Sequence, residues 1–200
     1  LKQTGRLIES LAANEKSVQL APKDAQAVNN LGVTLQELGR LEEALVSYTK
    51  AIALKPDYAE AHYNFGITLQ EQSRLDEALA SYTQAIALKP DYAQAHNNLG
   101  VTLQELGKLE EAVESYTQAI MFNPDYAEAY NNLGYTLKEL GRFDEALSNY
   151  SQAIALRPDY AEVHYNFGVK LKELGRFKDA EVSYKQAIAL KPEYAEAHNN

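Results

Sequence analysis

The sequence predicts an all-α solenoid of antiparallel helix pairs, and two regularities carry the prediction. The first is a strict 34-residue interval between prolines, which stand at Pro22, Pro56, Pro90, Pro124, Pro158 and Pro192. The second is that glycine and tyrosine columns keep this period without an insertion, as in Gly32, Gly66, Gly100, Gly134 and Gly168, and in Tyr48, Tyr82, Tyr116, Tyr150 and Tyr184. Such periodicity is typical of proteins in which each repeat packs only against its neighbours.

Each repeat carries the signals of two short helices. A glycine column falls where the first helix must end in a left-handed residue, and the proline stops the second helix. Asp57, with Glu60 three residues later, predicts a capping box at the start of a first helix. Helices of about 13 residues are marginal alone, so each must bury an apolar stripe against its neighbours. The turn at Gln72-Ser73 has serine in the glycine column, and we expect it to be the weakest.

At this point the pattern resembles the tetratricopeptide repeat (TPR) family. Leu31-Gly32, Ala44, Tyr48, Ala51 and Pro56 match the family's conserved positions, and the resemblance covers essentially the whole chain. It implies a right-handed superhelical solenoid whose first helices line a concave groove. The family's frequent early tryptophan is missing, and its column holds Val28, His62, His96, Tyr130, His164 and His198. Those residues imply weaker packing but the same fold.

The repeat phase predicts how one solenoid domain is divided. Five complete repeats span residues 25–58, 59–92, 93–126, 127–160 and 161–194. Residues 1–24 are interpreted as a degenerate partial repeat, the end of a first helix plus a second helix, because Gly5 and Pro22 match Gly39 and Pro56. Residues 195–200 would begin a further first helix. Both ends cut through a helix without a polar cap, so we interpret the chain as an interior piece of a longer protein.

Composition narrows the classes of partner. The net charge is −9, with 28 acidic residues against 19 basic ones and no run of either sign. Nucleic acids and anionic membranes need clustered lysine and arginine, so both are disfavoured as partners. No apolar stretch approaches the length of a membrane span, no signal-peptide pattern is present, and the chain has no cysteine. We therefore expect a cytoplasmic location.

Helical periodicity separates two faces of each first helix. In the second repeat, Ala61, Phe65, Gly66 and Leu69 form the face expected to pack on the second helix. The opposite face, which we call the groove stripe, consists of Glu60, Tyr63, Asn64, Ile67, Gln70 and Glu71 and of the residues that match them in the other repeats. The family resemblance implies that the groove stripe faces the concave groove.

Three sets of residues on the groove stripe are candidate peptide ligands. An asparagine column, which can pair with a peptide C=O and N–H together, resembles the asparagine ladder in the TPR arm of O-GlcNAc transferase; it comprises Asn30, Asn64, Asn98, Asn132, Asn166 and Asn200. Aromatic anchors are predicted at Tyr63, Tyr135 and Tyr165. A change from Gln36, Gln70 and Gln104 to Lys138 and Lys172 indicates a preference for acidic groups in the C-terminal half. The alternative for the asparagines and tyrosines is packing between helices.

No pattern in the sequence indicates catalysis, a metal or a cofactor. Four of the chain's histidines stand in one repeat column, at least a repeat apart, and the glutamates are equally dispersed. The leading hypothesis is therefore a scaffold that binds a polypeptide in its groove. Two alternatives remain open: the substrate-recruiting arm of a larger enzyme such as an O-GlcNAc transferase-like glycosyltransferase, and an array that self-associates head to tail. The sequence beyond Asn200 would test the first alternative, because an enzyme arm would be followed by a catalytic domain. Light scattering would test the second, because self-association raises the measured mass with concentration.

Overall fold

A computed structural model of the chain describes residues 2–198, and the side chains from residue 6 onward. The chain forms two compact units, Leu1–Leu106 and Gly107–Asn200. Each unit is a row of short helices in which every described regular element is α-helical. The all-α prediction is therefore confirmed for the described part of the chain.

The first unit contains α1 to α6, and the second contains α7 to α12. The helices of the first unit are Lys2–Leu20, Ala25–Glu37, Leu41–Leu54, Ala59–Glu71, Leu75–Leu88 and Ala93–Glu105. Those of the second are Leu109–Phe122, Ala127–Glu139, Phe143–Leu156, Ala161–Glu173, Phe177–Leu190 and Ala195–His198. Within each unit successive helices pack on one another, most extensively in the pairs α2–α3, α4–α5, α8–α9 and α10–α11. This is the predicted solenoid of helix pairs joined by short turns.

A glycine of the first helix and a tyrosine of the second interlock in each pair. Tyr48, Tyr82 and Tyr150 are completely buried. Each ring lies against a glycine, so that a Cβ atom added to Gly66 would stand 2.7 Å from Tyr82 Cε1. The same contact is 2.6 Å between Gly32 and Tyr48. Because no other residue leaves room for the ring, the glycine column sets the distance between the paired helices.

The turn between paired helices needs a left-handed residue. Gly39, Gly141 and Gly175 adopt φ of 74°, 76° and 73°, which costs glycine little. Ser73 occupies the same position with φ 59° and still closes the turn, since Arg74 N donates to Leu69 O at 2.9 Å. A side chain in this conformation is strained. The expectation that Ser73 replaces a capping glycine is confirmed.

Two local expectations are wrong. Asp57 does not form a capping box, because α4 begins at Ala59 and its N-cap is Tyr58, whose side chain makes no capping hydrogen bond. Asp57 therefore stands one residue too early to reach the free amides. Asp24 occupies the N-cap position of α2 and accepts from Gln26 N and Ala27 N.

The second difference concerns residues 1–24. The sequence predicts the end of a first helix followed by a second helix there, whereas α1 is one continuous helix from Lys2 to Leu20. Glycine inside a helix costs only about 1 kcal/mol.

The histidine column connects each first helix to the loop before it. The imidazole Nε2 lies 3.1 Å from the Pro56 carbonyl oxygen in His62, and 2.9 Å from the Pro158 carbonyl oxygen in His164. His96 and His198 make the same contact with Pro90 and Pro192. These contacts give the histidines of this column a local structural role.

Replacing Ser73 with glycine should stabilise the first unit by about 1 kcal/mol, since the left-handed conformation penalises a side chain by roughly that amount. In the unsubstituted chain the Arg74 amide should exchange its hydrogen before the matching Arg40 amide, whose bond to Leu35 O is also 2.9 Å. Gly39→Ser is the reverse control and should lose a similar amount. Equal exchange rates at Arg74 and Arg40 would contradict the prediction.

Gly66→Ala should destabilise the chain by about 1–3 kcal/mol, because the new methyl group would overlap the fixed ring of Tyr82. Chemical unfolding analysed repeat by repeat measures this change. Helix propensity alone acts in the opposite direction, since alanine is favoured over glycine by about 1 kcal/mol. A stabilising Gly66→Ala would show that the glycine–tyrosine contact does not set the helix spacing.

Candidate functional site

The asparagine column connects successive first helices in the first unit. Asn64 Nδ2 donates to Asn29 Oδ1 at 3.1 Å, and Asn98 Nδ2 donates to the Tyr63 hydroxyl at 3.3 Å. Both asparagines are half-buried, whereas Asn30 is exposed. The NH₂ groups of Asn64 and Asn98 thus donate within the protein, which agrees with the alternative that these asparagines serve in packing between helices.

The second unit repeats this arrangement. Asn166 Nδ2 donates to Asn131 Oδ1 at 3.2 Å, and Asn132 is half-buried. Asn200 lies outside the described residues. Sequence reasoning missed the partner column, whose members Asn29, Asn97 and Asn131 are 3–6% exposed. The adjacent asparagines at 29–30, 97–98 and 131–132 were the available signal, because paired amides at the repeat period can bond from one repeat to the next.

The acceptor side of the column differs from its donor side. Among the described residues no group donates to Asn64 Oδ1 or to Asn166 Oδ1. Asn98 Oδ1 instead accepts from Asn97 Nδ2 at 3.2 Å. A half-buried carbonyl oxygen with unused lone pairs can accept from a ligand N–H, so Asn64 and Asn166 retain capacity for a peptide backbone.

The three tyrosines of the groove stripe occupy two kinds of environment. Tyr63 packs with its ring centroid 4.8 Å from that of Tyr92, and Tyr165 lies 5.0 Å from Tyr194. Burial raises the pKa of Tyr63. These two rings belong to aromatic clusters between repeats. Tyr135 is different, because its partly exposed ring has the Lys138 ammonium 4.2 Å from its centroid.

A chain of hydrogen bonds crosses the groove stripe of the first unit. The Tyr48 hydroxyl donates to Gln36 Oε1 at 3.0 Å, and Gln36 Nε2 donates to Glu71 Oε1 of the next repeat at 2.8 Å. The next repeat has the same relay, in which the Tyr82 hydroxyl donates to Gln70 and Gln70 donates to Glu105, each at 3.0 Å. We call this arrangement the glutamine relay. It satisfies a buried phenol and links adjacent repeats.

The relay is broken in the second unit, where Lys138 and Lys172 occupy the glutamine positions. An ammonium group donates only and cannot accept from a phenol. The buried hydroxyls of Tyr150 and Tyr184 accordingly have no hydrogen-bond partner among the described residues. Burial also raises the pKa of Tyr150. A buried donor without an acceptor costs about 1–3 kcal/mol.

Lys170 is a buried cation that sequence reasoning missed. Lys170 is 1% exposed. The matching positions of the other repeats hold Thr34, Thr68, Thr102 and Thr136. The Lys170 ammonium lies 2.8 Å from Glu173 Oε2 and 3.0 Å from the centroid of the Phe143 ring. The break in the threonine column was the signal. Glu173, which matches Glu71 and Glu105 of the relay, is therefore bound to Lys170.

Two further features are absent from the described residues. No three or more histidine, aspartate or glutamate side chains lie close enough together to hold a metal ion there. None of the helices is both long enough and apolar enough to span a membrane.

Family models match most of the chain. A model described as TPR repeat matches residues 35–73, 69–107, 103–141, 134–175 and 168–200. A second, described as tetratricopeptide repeat, matches residues 13–46. No curated protein matches the sequence in a sequence search.

Solved structures of helical repeat proteins resemble the chain over most of its length. YrrB, described as a TPR protein with an unusual peptide-binding site, is 26% identical with a TM-score of 0.75, covering 94% of this chain and 96% of YrrB. PilF from Pseudomonas aeruginosa is 22% identical with a TM-score of 0.87, covering 98% and 90%. MamA is 23% identical with a TM-score of 0.75, covering 83% and 97%. The two structures below 25% identity show a common fold.

Two matched substitutions test the role of the relay. Tyr48→Phe should destabilise the first unit by about 1 kcal/mol, since it removes a satisfied hydrogen bond to Gln36. Tyr150→Phe should leave stability unchanged or raise it slightly, because the Tyr150 hydroxyl has no acceptor. Urea unfolding fitted with a nearest-neighbour model measures both. Equal losses from the two substitutions would count against the difference between the units.

Proposed function

The chain belongs to the tetratricopeptide repeat family, and from that premise we propose that it binds an extended polypeptide along its groove stripe. It is a protein-interaction scaffold of a fold that is typically non-catalytic. The observation that carries the proposal is the pair of half-buried asparagine oxygens, Asn64 Oδ1 and Asn166 Oδ1, without a donor among the described residues. Each would accept a main-chain N–H of the ligand.

Backbone recognition suits this arrangement because the asparagines recur once per repeat. An extended chain presents main-chain N–H groups at a regular interval along its length. Amide side chains that are oriented by their own hydrogen bonds lose little freedom when they bind. The link between Asn64 Nδ2 and Asn29 Oδ1 therefore supports binding, since it orients the carbonyl oxygen. Asn30 and Asn98 belong to the proposed contact surface of the first unit, and Asn132 belongs to that of the second unit.

YrrB lends further support, since it is described as having an unusual peptide-binding site and is 26% identical to this chain. Two finer predictions of the sequence stay open beside the proposal. These are a role as the recruiting arm of an O-GlcNAc transferase-like enzyme, which the asparagine column resembles, and head-to-tail self-association. A cytoplasmic location also stays a prediction.

The proposal is tested with peptides selected by the 200-residue chain from a random display library. Calorimetry should show that Asn64→Ala weakens the binding of a selected peptide by about 2–10-fold, equivalent to one hydrogen bond. Asn64→Ala, Asn98→Ala and Asn132→Ala together should weaken it much further.

Asn29→Ala is the matched control, because it breaks the same hydrogen bond from its buried side and leaves Asn64 Oδ1 in place. It should affect thermal stability as much as Asn64→Ala but affinity less. Equal affinities for the Asn64→Ala and Asn29→Ala variants would assign the ladder to packing alone. Failure to select any peptide would overturn the proposed function itself.

A further inference from the structure

We propose that the groove stripe of the first unit binds a polypeptide segment in the polyproline II conformation, with an aliphatic side chain at every third residue and no acidic residues between. The inference rests on the proposed function and names the class of ligand for one part of the groove stripe. It starts from three side chains, Val33, Ile67 and Val101, which we call the aliphatic row.

The aliphatic row lies between the two polar columns of the groove stripe. Ile67 stands three residues after Asn64 and three before Gln70 on α4, so these side chains are neighbours on one helix face. Val33 and Val101 have matching neighbours on α2 and α6. All three aliphatic residues are half-buried, and Val33 and Ile67 pack on the core beneath. The row is therefore fixed in place while part of its surface stays open.

The glutamine relay leaves one side of the row with little hydrogen-bonding capacity for a ligand. Gln36 accepts from the Tyr48 hydroxyl and donates to Glu71, and Gln70 makes the matching bonds in the next repeat. A polar ligand side chain would gain little by competing for amides that are already paired. An aliphatic side chain placed on the row would remove apolar surface from water, so aliphatic side chains are favoured there.

The charges beside the row exclude acidic ligands. Glu37, Glu71 and Glu105 are exposed at the relay side, and α2, α4 and α6 contain no lysine or arginine. Among the described residues no ion pair involves Glu71 or Glu105, whose printed partners are the relay glutamines. A ligand carboxylate would be repelled by these groups, so the residues between the aliphatic ones should be neutral or basic.

The spacing of the row selects the conformation of the ligand. The helices α2 and α4 are in direct contact, since Gln36 Nε2 lies 2.8 Å from Glu71 Oε1, and packed helices are about 8–10 Å apart. Three residues of polyproline II span about 9 Å. Side chains on one face of a β-strand recur every two residues, or about 7 Å. Of these two extended conformations, polyproline II therefore places one side chain per repeat on the row.

The asparagine beside the row agrees with this conformation. A polyproline II segment has no internal hydrogen bonds and three residues per turn, so every third N–H is free and points in one direction. Asn64 Oδ1 has no donor among the described residues and can accept one such N–H. The ligand residue that donates to Asn64 cannot be proline, whereas the other two residues of each turn can be.

The experiment begins with peptides selected by the complete 200-residue chain from a random display library. The selected peptides should carry valine, isoleucine, leucine or proline at every third position, with few acidic residues between. Changing the central aliphatic residue to serine should weaken binding by about tenfold, because an aliphatic contact is lost. Insertion of one residue that breaks the three-residue spacing should weaken it at least as much.

A proline scan of a selected peptide tests its conformation. One position in each turn of three should lose affinity by about 2–10-fold, because proline removes the N–H that Asn64 accepts. The other two positions should retain or gain affinity, since proline fixes the φ of polyproline II before binding. In the Asn64→Ala variant the loss at the sensitive position should disappear.

Ile67→Ala tests the row itself and should weaken an aliphatic peptide by about threefold to tenfold. The matched control is Val46→Ala, because Val46 is 70% exposed on α3 and lies outside the groove stripe; it should leave affinity unchanged. Thermal unfolding of both variants is measured alongside, since Ile67 also packs on the core. The serine-substituted peptide should bind the Ile67→Ala variant and the original chain nearly equally, which assigns the loss to one direct contact.

Three outcomes distinguish the proposals. Selected peptides with aliphatic residues at every second position, or without a period, would overturn the polyproline II ligand and leave peptide binding intact. A peptide that binds the Ile67→Ala variant as tightly as the original chain, or that loses affinity at every proline position, would do the same. The absence of any selected peptide would overturn peptide binding and the inference together.

Discussion

The contact between a glycine of the first helix and a tyrosine ring of the second is the constraint on which the rest of the structure depends. Because the ring lies where a Cβ atom would be, the paired helices approach more closely than any side chain would allow. The ring is then long enough to pass beneath the first helix and to bring its hydroxyl to the groove stripe, as the bond between Tyr48 and Gln36 demonstrates. A core residue thus supplies a polar atom to the surface proposed to bind a ligand.

The architecture was predictable because it depends on residue types that recur at a fixed interval. Proline, left-handed glycine and buried tyrosine each act locally, and their 34-residue period determines the helix pairs. The capping box was mispredicted for the same local reason. The pattern of Asp57 and Glu60 is present whether or not the helix begins directly after the aspartate, and here the helix begins one residue later, at Ala59. A sequence motif cannot report a shift of one residue in the helix start.

The candidate site was only partly predictable, since its geometry depends on distances between repeats. The sequence identified Asn64 and Lys138 as members of the groove stripe. It could not show that Asn64 Nδ2 donates to Asn29, or that the Lys138 ammonium lies over the Tyr135 ring. The glutamine relay involves residues on three helices. Two of these residues, Gln36 and Glu71, are 35 residues apart in the sequence. Lys170 was missed because lysine is usually a surface residue. Only the threonines at the matching positions of the other repeats indicate that the position of Lys170 is buried.

A repeated backbone makes single substitutions informative, because every residue has counterparts in nearly the same surroundings. Lys138 stands at the position of Gln36, and where Tyr48 donates to Gln36, the buried Tyr150 hydroxyl has no partner among the described residues. An unsatisfied buried donor lowers stability, and a solenoid tolerates that loss when the neighbouring interfaces remain intact. The glycine–tyrosine contact is retained at Gly134 and Tyr150, so packing does not compensate for the missing acceptor. Packing therefore fixes the backbone of a helix pair, while the polar residues above the buried tyrosine can differ between repeats without changing it.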